Sequence, residues 1–400
     1  MVKSKLSLNS TLAMAVLSFS LFLVYLTANA PTPLYTIWQQ HIAYNTTGIS
    51  IIFVTYHIGI AISLLSLARV QNATTIKRLL LLALVGTIVA GALFTSAAHF
   101  WQLVAARFII GLCSGTFVSC GISLIVKIGL KQQVNNTPLI VTLACVLGFG
   151  VGPFYGGVLA DLIHRPYSSI FAPLMILLAI CLVILAKMKP DAELIELGHQ
   201  QTDTPAQEGQ KNYGLTFVTV GLFASPFALS GLFISIGPKM VSTLMHTDSH
   251  TIAGGIGLLM FGSGIISQLC LKNLSVGKQI LIGAICAVIG GVSILVAEVT
   301  HLVAIMALAS IFAGVGQSLT QLGGTSILKQ YRPMGTFQRS TATFFLGGYM
   351  FAAISIFLLG FLASHLGLQT ATQVFLYLCF MLLAASLGGY VIQHRDKSQV

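Results

Sequence analysis

Charge is what this sequence has least of. Only 7% of its 400 residues are charged, against about a quarter in a soluble domain, which excludes an ordinary water-soluble fold. Acids are scarcest, nine against twenty Lys and Arg. Asp191, Glu193, Glu196, Asp203, Glu208 and Asp396 fall in segments expected to be cytoplasmic, while Asp248 and Glu298 are expected at the outer surface. Only Asp161 is ambiguous, so no carboxylate is expected at mid-membrane. No carboxylate pair, metal cluster or catalytic triad occurs at membrane depth, which argues against an enzyme, and no cofactor or metal is expected. The cysteines, at 113, 120, 145, 181, 270, 286 and 379, all lie in apolar segments, without disulfide or metal-ligand spacing. The net charge of +11 comes from basic residues scattered singly through short loops, which is the distribution of a positive-inside bias and not of a nucleic-acid binder.

What the chain has is apolar length. Hydrophobic residues make up 56%, and segments long enough to cross a bilayer run at about 10–32, 48–68, 79–98, 101–126, 138–160 and 168–187. Six more follow at about 214–237, 252–271, 279–298, 301–326, 340–363 and 370–392. Between the two sets lies the one long polar connection, 188–212, read as a cytoplasmic linker. The expected organisation is therefore an N-terminal six-helix bundle over 1–187 and a C-terminal one over 213–400. With the N-terminus inside, seventeen Lys and Arg fall on the cytoplasmic side, two (Arg165 and Lys239) on the other, and Arg107 within a helix. That asymmetry places both termini in the cytoplasm. Lys3 and Lys5 precede an apolar run ending near Ala28, Asn29 and Ala30, which imitates a signal-peptidase site; the run is long for a signal peptide, and Pro31 would follow the cut, so it reads as an uncleaved first helix.

The segment centred on Gly148, Gly152, Pro153, Gly156 and Gly157 stands out. Its glycines recur every four residues, forming a slowly drifting stripe where another backbone can approach. Pro153 lacks an N–H and collides with the preceding turn, so a bend is expected there, tolerated in lipid because neighbours satisfy the freed groups. The alternative is a generic glycine-rich packing helix. Helix 8 carries its own small residues, Gly254, Gly255, Gly257, Gly262 and Gly264, and is expected to be the partner of the helix 5 stripe.

These five residues resemble the motif Gly-x-x-x-Gly-Pro-x-x-Gly-Gly of helix 5 in the major facilitator superfamily, with all five positions filled. In that family the motif is associated with exporters of the drug/proton antiporter type. The resemblance implies the major facilitator fold: an all-α polytopic membrane protein of two six-helix bundles around a central cavity, with helix 5 sealing that cavity as a gate. Pro31 to Tyr35 and Gly231 to Pro238 are also similar to segments of a bacterial exporter branch. Arg107, Gly111 and Gly115 resemble the superfamily's helix 4 motif, whose arginine is implied in proton coupling; the usual glutamine is Ile110 here and a usual glycine is Cys113. The signature loop after helix 2 is eroded, with Leu64 at its first glycine, Ala68 in place of its acid before Arg69, and Gln71 at its second glycine. Leu274 to Lys278, its counterpart in the second half, departs equally.

An ionisable group in hydrocarbon is costly unless it faces water or a partner. Arg107 and His57 each lie about seven positions from the outer start of their helices, roughly 10 Å deep, and could share a vestibule, His57 carrying a proton and Arg107 an anionic group. Alternatively His57 bonds a neighbouring helix and Arg107 fixes packing. Tyr25, Asn29, Gln317, Gln321 and Tyr349 complete the candidate cavity lining, Gln317 and Gln321 sharing a helix face, although each could equally make an interhelical hydrogen bond. Asp161 and Arg165 are placed to form an ion pair, with proton carriage by Asp161 as the alternative. The expected partners are a small-molecule substrate, protons as coupling ion and the lipid bilayer. The chain is read as a monomeric, multi-pass exporter of the bacterial inner membrane, the alternative being uptake of a sugar, organic acid or other nutrient.

Overall fold

A computed structural model describes residues 8–395 apart from 68, 69, 71, 135, 164, 165, 189–212, 245, 248, 332 and 333. The described residues are helical, without a strand. In lipid each backbone N–H and C=O must be satisfied within the protein, and a helix does this residue by residue. Among the described residues twelve helices are long and apolar enough to cross a membrane: α1 (Leu8–Asn29), α2 (Thr46–Leu67), α3 (Ala73–Thr95), α4 (Phe100–Lys131), α5 (Thr137–Leu162), α6 (Pro166–Lys187), α7 (Tyr213–Ser235), α8 (His250–Leu271), α9 (Val276–Thr300), α10 (Val303–Tyr331), α11 (Met334–Leu366) and α12 (Leu368–Arg395). Residues 189–212 of the expected linker at 188–212, and Ala68, Arg69 and Gln71 of the eroded loop, lie outside the described residues.

Helix ends are set by local chemistry. The Asn72 side chain accepts hydrogen bonds from the backbone N–H of Thr74 (2.9 Å) and Thr75 (3.1 Å), starting α3. Ser249 does the same for Ile252 (3.3 Å) at the start of α8. The Lys77 ammonium donates to the carbonyls of Ala186 (2.9 Å) and Met188, so a basic residue of α3 closes the C-terminal end of α6. Pro31 and Pro238 each follow a long helix and lead into a short one. After α1 come a 3₁₀ turn, Thr32–Leu34, and the helix Tyr35–His41; after α7 comes Gly237–Leu244.

Contacts divide the chain into two units. The first takes Met1–Leu34 and Thr55–Asp203, the second Tyr35–Val54 and Thr204–Val400. In the first, α3 packs against α4 and α6, and α1 against α5; Phe94 of α3 and Phe171 of α6 stack at 5.3 Å, both fully buried. In the second, α10 packs against α8 and α9, and α7 against α11 and α12. Small residues set the α9–α10 distance, since a Cβ on Gly290 would stand 2.9 Å from the Ala313 nitrogen and one on Gly316 2.8 Å from that of Ala287. Ser225 of α7 donates to the Cys379 carbonyl of α12 at 2.6 Å.

Polar bonds tie 35–54 into the second unit. Thr47 donates its N–H to Ser364 Oγ (3.1 Å) and shares a 2.8 Å hydroxyl contact with it, while a Cβ on Gly360 would overlap Ser50. The Lys239 ammonium donates to Gln39 Oε1 (2.8 Å), Gln39 Nε2 to the Tyr44 carbonyl (2.9 Å), and the Tyr44 hydroxyl to the Tyr35 carbonyl (2.6 Å). Half-buried Lys239 loses hydration there, which lowers its pKa below the usual lysine value.

Candidate functional site

The arrangement around Arg107 follows from a close crossing of α2 and α4. A Cβ on Gly59 would stand 2.6 Å from the Phe108 carbonyl, one on Gly115 2.8 Å from the Ile60 carbonyl, and one on Gly111 would overlap the Tyr56 carbonyl. The Ser63 hydroxyl adds a 2.8 Å bond to the Leu112 carbonyl. With the backbones in contact, the residue one turn before Gly111 lies directly over the residue it touches. Arg107 accordingly sets its guanidinium carbon 5.5 Å from the centroid of the Tyr56 ring and donates to the Ala28 carbonyl of α1, with 3% of its surface exposed. Of the described residues in the first unit, the one acid, Asp161, is exposed.

Tyr56 is the residue that joins the candidates, and sequence reasoning missed it. Its ring also takes His57 edge-on at 5.3 Å, and His57 is buried. The Ser114 hydroxyl stands beside the Tyr56 hydroxyl, with Cys145 of α5 in electrostatic range; neither hydroxyl has a hydrogen-bond partner of ordinary geometry among the described residues. Ser114 could have been found from its spacing, seven residues and two turns beyond Arg107. Just past it the helix widens into a π turn, Phe117–Gly121, a distortion frequent at functional sites.

The helix 5 motif meets α1. A Cβ on Gly148 would stand 2.6 Å from Tyr25 Cβ, one on Gly152 2.9 Å from the Leu26 carbonyl and 3.0 Å from Asn29 Cβ, and one on Gly156 would overlap the Ala30 carbonyl. Gly157 is buried and α5 runs unbroken through Pro153. The Tyr25 ring lies 4.2 Å from that of Phe149, and Asn29 Nδ2 donates to the Tyr25 carbonyl at 2.8 Å. Tyr25 and Asn29 are thus held by the glycine stripe, and Ala28, next to Asn29, takes the Arg107 bond. This corrects the expected pairing of helix 5 with helix 8. The α8 small residue Gly264 instead meets α10, its Cβ position 3.1 Å from the Gly314 carbonyl. The helix 5 stripe closes on a helix of its own unit, and so does Gly264.

Three of the remaining candidates belong to the second unit. Gln317 and Gln321 sit one turn apart on α10, both half-buried. Tyr349 of α11 packs its ring at 5.1 Å against Phe227, within an aromatic group that includes Phe223, Phe344 and Phe345. Asp161 ends α5 exposed, and Arg165, its expected ion partner, lies outside the described residues. Among the described residues no group of three or more His, Cys, Asp or Glu could hold a metal ion.

Glu298 is a second correction. Expected at the outer surface because it sits near a helix end, it is 4% exposed, and neither carboxyl oxygen has a hydrogen-bond partner of ordinary geometry among the described residues. The signal was periodicity. Ile280, Gly283, Ala284, Ala287, Gly290, Gly291, Ile294 and Ala297 form the buried face of α9, and Glu298 continues it.

The family model of the Major Facilitator Superfamily matches residues 17–336. Among solved structures, a D-xylose-proton symporter superposes with a TM-score of 0.75 at 12% identity, covering 94% of this chain and 96% of that one. A POT family transporter in complex with 5-aminolevulinic acid gives 0.73 at 15% identity, covering 96% of each. A bacterial homolog of the human lysosomal transporter Spinster, inward-facing and unoccupied, gives 0.69 at 12% identity, covering 98% of each. No curated protein matches the chain.

Proposed function

The chain belongs to the Major Facilitator Superfamily, and on that premise we propose that it exports a small organic compound across the bacterial inner membrane by proton antiport and alternating access, with both termini in the cytoplasm. The observation that carries the reading is Arg107, a buried cation set over the Tyr56 ring and bonded to the Ala28 carbonyl at the α2–α4 crossing. A fixed positive charge attracts an anionic or polar group and repels a cation. The substrate is accordingly anionic, or neutral and amphipathic.

Arg107 holds the substrate's anionic or polar group beside Tyr56, and Tyr25 and Asn29 of α1 present further polar atoms nearby. His57 carries the proton, because imidazole is the side chain that ordinarily titrates near neutral pH. Gln317, Gln321 and Tyr349 offer the second half's contacts to substrate. The α1–α5 pair fixed by Gly148, Gly152 and Gly156 moves as one piece, which is how the helix 5 motif serves gating. Export as the direction rests on the likeness of that motif to the family's antiporters.

Inside-out vesicles, energised to acidify their lumen and challenged with anionic, neutral and cationic compounds, test the reading. Lumenal proton release with anionic or neutral compounds, lost in Arg107→Ala and His57→Ala, is the expected outcome. Lipophilic cations as the best substrates, with Arg107→Ala still active, would contradict the substrate class; net accumulation of a nutrient by whole cells would contradict the direction.

A further inference from the structure

The second unit holds a titratable group that the proposed export cycle does not use. Glu298 lies in the last turn of α9, two turns beyond Gly291, whose Cβ position meets Phe380 and Leu376 of α12; α9 also packs against α10 and α7. It is the one buried acid among the described residues. Its neighbouring side-chain partner is Thr372 of α12, but the Thr372 hydroxyl donates its hydrogen to the Leu368 carbonyl at 2.9 Å. A carboxylate there would face the Thr372 oxygen with no hydrogen to accept, whereas a carboxylic acid could donate its own to that oxygen.

Among the described residues no cation approaches from the elements packed against it. On α10 the described cation is Lys329, 26 residues beyond the helix start, and α7 carries no charged residue. On α12 the titratable groups are Cys379, Tyr377, Tyr390, His394 and Arg395, all beyond the first two turns, where Thr372 lies. On α9 itself Lys278 is twenty residues away, roughly 30 Å along the axis. His301, just past the helix end, is exposed and turns its ring toward His246 at 5.6 Å. Lys239 is bonded to Gln39. Burial without a cation or a donor disfavours an ionised carboxylate far more than a neutral acid.

We infer that Glu298 is a proton-binding site of this transporter, a neutral carboxylic acid while it is buried at the end of α9 against Thr372 of α12. It belongs to the second unit, whereas Arg107 and His57 belong to the first, and the inference holds whatever the substrate or direction of transport. Ionisation requires water to reach the carboxyl, so binding and release of this proton are tied to the packing of that end of α9.

Infrared difference spectroscopy on the reconstituted protein tests this without any transport assay. At neutral pH the wild type minus Glu298→Gln spectrum is expected to carry a carboxylic C=O stretch that shifts in heavy water. Glu298→Asp, which keeps the acid, should move that band in place of removing it, and serves equally if the Gln variant folds poorly. Carboxylate stretches in place of the C=O band in the difference spectrum, or a C=O band unchanged in both variants, would overturn the assignment.

Discussion

Gly111→Ala puts a methyl group where the Tyr56 carbonyl stands, and there is no flexible side-chain end to yield. The backbones of α2 and α4 must separate, and with them the guanidinium of Arg107 from the Tyr56 ring. Overpacking of this kind costs about 1–3 kcal/mol, and weakening a desolvated cation–π contact adds about 0.5–2 kcal/mol, against a gain of up to about 1 kcal/mol from the better helix former. The net is a loss of about 2 kcal/mol, roughly thirtyfold in the unfolding equilibrium. Gly262→Ala is the control, since a Cβ there meets nothing within 4 Å; only the propensity gain remains. Reversible unfolding by dodecyl sulfate in mixed micelles, followed by circular dichroism, compares the two. Equal stability of the two variants would refute the close crossing and the placement of Arg107 that depends on it.

Tyr56→Phe keeps the ring beneath Arg107 and removes only the buried hydroxyl beside Ser114, so its unfolding free energy should lie within about 1 kcal/mol of wild type, while Tyr56→Leu should lose about 0.5–2 kcal/mol more. Lys239 ordinarily titrates at 10.5 and is lowered by desolvation in the folded protein; the unfolded chain then binds more protons between the two values, so stability should rise with pH across that window. Unfolding midpoints at pH about 8 and about 10 should show this rise in wild type and less of it in Lys239→Met. Thr47→Cys with Ser364→Cys, whose native hydroxyls are 2.8 Å apart, should cross-link readily under oxidation; adding Gly360→Val, whose side chain would overlap Ser50, should sharply reduce the cross-link seen on a gel.

The twelve spans were legible because lipid leaves the backbone no choice: an apolar run of about twenty residues must be a helix. Ends were less so, since α11 begins at Met334 through a polar turn that hydropathy reads as loop. Arg107 was legible as a lone cation in an apolar run, but Tyr56 was not, because its role comes from the α2–α4 crossing and not from its own helix. A glycine stripe announces that a backbone will come close without saying whose, hence the misplaced pairing of helix 5 with helix 8. Glu298 was hidden by its position near a helix end, where the nearness of a loop outweighed the periodicity that buries it. The cation–π contact of Arg107, its bond to Ala28 and the π turn beyond Ser114 are tertiary or backbone features with no sequence spacing to mark them.

Counterflow exchange in proteoliposomes tests the central claim, that Arg107 receives the substrate, most directly. Vesicles loaded with an unlabelled organic anion and diluted into its labelled form would be assayed with wild type, Arg107→Ala and Tyr56→Phe. Saturable exchange that Tyr56→Phe keeps and Arg107→Ala abolishes is the result predicted. Exchange of equal rate and saturation in Arg107→Ala, with the variant folded, would contradict it.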